Sequence, residues 1–179
     1  MKFKELYNIM LENSKPREYS CLMLDCENFK DDLDKLQDQI DEDDLYVEED
    51  GYGFEKEPHI TILYGIHESN PSVVKNSIKL KPLTYTLTKL SLFENEKYDV
   101  LKCSVESSDL RKLNKECCEN LQFTSNFPDY TPHLTVCYLK PGMGSKYVEL
   151  KSEGFGQEFT SGEFLFSDQN SKKTRWSIQ

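Results

Sequence analysis

The chain has 179 residues, 37% hydrophobic and 12% aromatic, which is enough to bury a core and excludes a disordered polymer despite a charged fraction of 30%. Its 32 Asp and Glu outnumber 22 Lys and Arg, giving a formal net charge of -10 that repels a long polyanion. A short nucleotide escapes that exclusion, because a few local groups can hold one phosphate in a shielded cleft.

Cys21, Cys26, Cys103, Cys117, Cys118 and Cys137 form no C-x-x-C pair and follow no secretory leader, so they read as reduced and mostly structural. No apolar run reaches the length of a membrane span. The expectation is a soluble, cytoplasmic protein with no membrane contact.

The first predicted element is an amphipathic helix over Lys2 to Asn13, with Phe3, Leu6, Tyr7, Met10 and Leu11 on one stripe, ended by Lys15-Pro16. That stripe can pack on the body of the protein or dock a protein partner. A strand follows over Tyr19 to Asp25, then a helix with Phe29, Leu33, Leu36 and Ile40 on one face. Asp41 to Glu57 is acidic and reads as an exposed loop beside a cleft. It fails as a calcium loop, because the Asp41, Asp43, Leu45 series breaks the alternating ligand pattern.

Pro58 to Gly65 reads as a strand, and Asn70-Pro71 starts a helix through Val73, Val74 and Ile78. Leu83 to Phe93 and Tyr98 to Val105 form a hairpin. Ser108 caps a helix carrying Leu110, Leu113, Cys117 and Leu121, and a loop over Gln122 to Thr131 leads into a strand over Pro132 to Leu139. Glu158 to Phe166 and Thr174 to Ile178 are the last β stretches. The class is α+β with largely antiparallel sheets, organised as the N-terminal helix (1–16) and a single domain (17–179).

Two segments carry the chemistry. Pro58-His59-Ile60-Thr61-Ile62-Leu63-Tyr64 and Pro132-His133-Leu134-Thr135-Val136-Cys137-Tyr138 share the pattern Pro-His-aliphatic-Thr-aliphatic-x-Tyr, which indicates a duplicated half-domain. The chain holds three histidines, and two of them lie in this repeat. Along a strand the side chains alternate, so each copy presents its His and Thr on one face. Two halves facing each other would converge two imidazoles and two hydroxyls on one phosphate.

One neutral imidazole can take a proton from an attacking water or 2′-hydroxyl while a protonated one donates to the leaving oxygen. Threonine hydroxyls can bond the non-bridging oxygens as their charge grows. No metal or other cofactor is required, and a zinc site is disfavoured because the motif has no third ligand at a metal spacing.

This double His-x-Thr pattern resembles the 2H phosphoesterase superfamily, which includes 2′-5′ RNA ligase-like proteins, cyclic phosphodiesterases, viral enzymes that cleave 2′-5′ oligoadenylate and phage anti-CBASS nucleases. The resemblance covers Tyr19 to Ile178. It implies two pseudo-symmetric lobes, each an antiparallel sheet with flanking helices, around a central cleft, with His59, Thr61, His133 and Thr135 as catalytic residues. It also implies a small nucleotide or cyclic oligonucleotide as substrate, and, for a phage member, action in the host cytoplasm. RNA-end processing of 2′,3′-cyclic phosphates and nucleotide binding without cleavage are the alternatives.

Further substrate contacts are expected from Tyr130 and Trp176, which can stack a base, and from Lys140 and Arg175, which can offset the acidic field. Tyr64 and Tyr138, at equivalent places in the repeat, are further candidate substrate contacts, although their odd spacing from the histidines puts them on the opposite face of a regular strand and favours packing. His67 is read as surface.

Overall fold

The computed structural model describes residues 18–48, 51–125 and 129–179, and the helix expected over Lys2 to Asn13 lies outside them. Within them the strands are β1 (Ser20–Asp25), β2 (His59–Ile66), β3 (Leu83–Glu94), β4 (Asp99–Glu106), β5 (His133–Leu139), β6 (Glu158–Ser161), β7 (Glu163–Ser167) and β8 (Lys173–Ser177). The helices are α1 (Lys30–Gln37), α2 (Pro71–Ser77) and α3 (Ser108–Asn120).

Local signals place most of these ends. Asn70 caps α2 by accepting from the amide of Ser72 at 3.0 Å, with Pro71 at the first helical position. The cap of α3 is Ser107 and not the expected Ser108. Ser107 leaves β4 with an extended backbone, so its hydroxyl reaches the amide of Leu110 at 3.0 Å. The stretch Glu158 to Phe166 is two strands and not one, because Gly162 carries the chain from β6, beside β3, to β7, beside β1. A Cβ at Gly162 would lie 2.1 Å from the carbonyl oxygen of Ile178.

All the strands join one curled antiparallel sheet in the order β6-β3-β4-β5-β2-β1-β7-β8. The expected lobes are its two four-stranded halves. They are continuous with one another, because β2 and β5 pair where Ile60 faces Leu134. Both residues are fully buried under the helices, in a core with Leu33 and Leu36 of α1, Val74 of α2 and Leu110 and Leu113 of α3.

The inner strands depart from regular pairing at equivalent places. Against β1, Leu63 and Thr61 face Leu22 and Met23, which leaves Ile62 as an extra residue; against β4, Cys137 and Thr135 face Leu101 and Lys102, which leaves Val136 extra. These are β-bulges, and each reverses the side-chain alternation beyond it. Helix amides satisfy both bulged carbonyls. Asn114 of α3 donates to Ile62 O at 2.9 Å, and Gln37 of α1 donates to Val136 O at 2.9 Å.

Past their single pairing, β2 and β5 run apart and other segments cover their edges. The amide of Thr124 donates to Gly65 O at 2.9 Å, an approach that only glycine permits, since a Cβ there would lie 1.9 Å from Thr124 O and φ is +89°. The acidic segment, expected as an exposed loop, lies along β5 instead. Leu45 bridges Leu139, Phe54 bridges Cys137, and the amide of Tyr46 donates to Tyr138 O at 3.0 Å. Its apolar Leu45 and Tyr46 are buried, which the surrounding carboxylates concealed in the sequence.

Candidate active site

The pairing of Ile60 with Leu134 fixes the site. Those two point into the core, so their neighbours point to the other face of the sheet, with Thr135 across from His59 and His133 across from Thr61. Four side chains from distant parts of the sequence therefore cluster around one cross-strand pair.

Both rings are held alike. Nδ1 of His59 lies 2.7 Å from Glu57 O and Nδ1 of His133 lies 3.0 Å from Thr131 O. A carbonyl only accepts, so Nδ1 of each ring carries the proton and donates, and in the neutral ring Nε2 is the basic nitrogen. Neither Nε2 bonds a protein group among the described residues.

The surroundings differ. His133 faces Ser104 on β4, meets Phe93 edge-on with centroids 5.1 Å apart, and lies near the Lys102 ammonium. Burial pushes its pKa down to about 4; the bond to Thr131 opposes this, and the charges of Lys102 and His59 add to it. His133 is therefore neutral near pH 7. His59 faces Asp25 on β1, which is paired with Arg175, and follows Glu57, which is paired with Lys173. The bond to Lys173 holds the Glu57 carboxyl below the usual range, with smaller contributions from His59 and Arg175. A pocket of about 230 Å³ opens beside His59, lined by Asp25, Glu57, Leu165, Lys173 and Arg175. Another of about 260 Å³ is lined by Asp34, Gln37, Glu42 and Phe54, and neither pocket is lined by any of the four motif residues themselves.

A family model described as "Anti-CBASS protein Acb1" matches residues 26–155, a span that contains both His-x-Thr copies. The chain belongs to the Acb1 family of anti-CBASS proteins. No curated protein matches it in sequence. Among solved structures it is similar to E. coli LigT in apo form, with TM-score 0.57 and 15% identity over 90% of this chain and 98% of that one. It is similar also to E. coli LigT complexed with ATP, with TM-score 0.56 and 15% identity over 93% and 99% of the two chains. Kluyveromyces marxianus Usb1 with uridine monophosphate gives TM-score 0.52 and 9% identity over 90% and 99%. These likenesses show a shared fold, the 2H phosphoesterase fold.

The other expected contacts of this Acb1-family chain fare unevenly. Trp176 is not on the histidine face: it stacks on Phe166 in the core, with centroids 5.9 Å apart and 7% exposure. Alternation along β8 puts Arg175, not Trp176, on the site side, where its guanidinium is engaged by Asp25. Lys140 lies past the far end of β5 and donates to Asp43 O at 2.5 Å, away from the histidines. The hydroxyl of Tyr130 donates to Thr61 O at 2.9 Å, so this residue braces the motif strand.

Tyr64 and Tyr138 do lie on the histidine face, contrary to their odd spacing, because the bulges at Ile62 and Val136 reverse the alternation. Tyr64 packs with Cys21, Met23 and Leu165, and Tyr138 with Tyr46, Tyr98 and Val100. They form two walls flanking the site. His67 is exposed as expected and stacks on Tyr19, with centroids 5.3 Å apart. Residues the sequence did not single out are Asp25, Phe93, Lys102 and Ser104. They become visible only through the cross-strand register.

Proposed function

We propose that this chain is a phosphodiesterase that cleaves a small nucleotide phosphodiester, with cyclic or 2′-5′-linked oligonucleotide messengers of antiviral defence as its substrates. The observation that carries the reading is the crossing at Ile60 and Leu134, which gathers His59, Thr61, His133 and Thr135 on one face. In this mechanism Nε2 of neutral His133 accepts the proton of the attacking water or 2′-hydroxyl. His59, as the imidazolium, donates a proton to the leaving oxygen, and the two threonine hydroxyls bond the non-bridging oxygens. These four groups cover attack, departure and charge stabilisation, so no step calls for a metal.

The substrate class is supported by membership of an anti-CBASS family and by the acidic charge, which disfavours long nucleic acid. The nucleotide complexes of the LigT and Usb1 structures accord with a cleft of this fold holding a small nucleotide. The test is incubation, with chelator present, against cyclic di- and trinucleotides, 2′-5′ oligoadenylate and nucleoside 2′,3′-cyclic phosphates. Cleavage of the cyclic or 2′-5′ oligonucleotides supports the reading. Turnover of the 2′,3′-cyclic phosphates alone would replace it with RNA-end processing, and tight binding without products would replace it with sequestration.

A further inference from the structure

Lys102 lies on β4 directly across from Thr135, on the histidine face, and is 5% exposed. A buried ammonium needs a carboxylate or a full set of acceptors, since desolvation otherwise disfavours the charge. Among the described residues Lys102 has no carboxylate partner. Its Nζ donates to the hydroxyl of Ser91 at 2.8 Å and sits 4.1 Å from the centroid of the Phe93 ring, whose edge meets His133. Ser91 in turn lies 3.0 Å, oxygen to oxygen, from Ser104, the residue across from His133. The other half breaks the symmetry: the residue across from Thr61 is Met23, with no charge.

The arrangement is therefore a desolvated cation and two linked hydroxyls at one side of the site, in a protein whose net charge is -10. We propose that Lys102, supported by Ser91 and Ser104, is a phosphate-binding residue that seats a non-bridging oxygen of the substrate phosphodiester on the Thr135 side. This deepens the proposed function and rests on it. An anion there supplies an opposite charge, while the ammonium adds to the burial that keeps His133 in its neutral form. The cations of the other half, Lys173 and Arg175, are paired with Glu57 and Asp25, so a cation without a carboxylate partner among the described residues lies on one side only and makes the two ends of a bound phosphodiester inequivalent.

The probe that separates this from catalysis is inorganic phosphate, titrated calorimetrically into the wild-type protein, Lys102→Met and Lys102→Arg. We expect Lys102→Met to weaken phosphate binding at least tenfold and Lys102→Arg to restore part of it. We also expect the His133 ring, followed by NMR, to protonate at higher pH in Lys102→Met. Met fills the same space, so melting curves should show the variant folded and at least as stable. If instead Lys102→Met melts lower and binds phosphate as the wild type does, Lys102 is a packing residue on Phe93 and the proposal falls. Should no phosphodiester be cleaved by the wild type, the proposed function fails while the phosphate titration still decides the role of Lys102.

Discussion

Gln37, on the first described helix, donates through its side-chain amide to the carbonyl of Val136, the bulged residue just after the second His-x-Thr motif. Asn114 does the same for Ile62 after the first. Each helix thus supports the motif strand of the opposite half, and the same polar group is used twice to hold the backbone that aims a histidine. Replacing Asn114 by Leu takes the side-chain donor from Ile62 O, and replacing Gln37 takes the donor from Glu55 O while Val136 O keeps the Glu55 amide at 3.0 Å, in each case a loss of about 1–3 kcal/mol. Thermal melts of Gln37→Leu and Asn114→Leu should fall by roughly 2–4 °C per kcal/mol for a chain of this size. Gln37→Leu should be the more damaging, because Gln37 also bonds Glu55 O at 2.8 Å.

The depressed pKa of His133 sets a pH dependence of stability. Between the unfolded value of 6.5 and about 4, the unfolded chain carries a proton on this ring that the folded chain lacks. The contribution is fully present above pH 6.5 and is lost as pH falls through about 4. Denaturant midpoints of the wild type and His133→Gln, compared from pH 7 to pH 4, should differ by a constant above 6.5 and by a changing amount below it. A constant difference throughout would show that His133 titrates normally.

Trp176 separates packing from recognition. Its indole is in the core, so Trp176→Ala should cost about 3–5 kcal/mol of stability and leave the KM of the folded enzyme unchanged. Stability measured by denaturant titration and KM measured at low temperature test this together. A large rise in KM with little loss of stability would return the residue to the site.

The duplicated motif made the four central residues legible, because two matched copies of a short pattern carry information that one does not. The helix amides were legible in principle. Leu33, Leu36, Gln37 and Ile40 repeat as Leu110, Leu113, Asn114 and Cys117, with a polar amide on an otherwise apolar stripe. What the chain did not disclose was the bulge after each motif, since nothing in Ile62 or Val136 marks an extra residue until the neighbouring strand is in place. That one feature reversed the placement of Tyr64 and Tyr138. Lys102 was hidden for a related reason: a lysine in an alternating strand reads as solvent-facing, and only the pairing with Thr135 puts it beside the histidines.

The central claim is that His59 and His133 act together on one phosphate, and a double-mutant cycle tests it most directly. On the cyclic or 2′-5′ oligonucleotide cleaved fastest by the wild type, His59→Ala and His133→Ala should each lower kcat by about 10²- to 10⁴-fold. The double variant should be little worse than either single one, because groups that act as a unit lose their effect together. Full activity in either single variant, or losses that simply multiply in the double, would contradict the shared site.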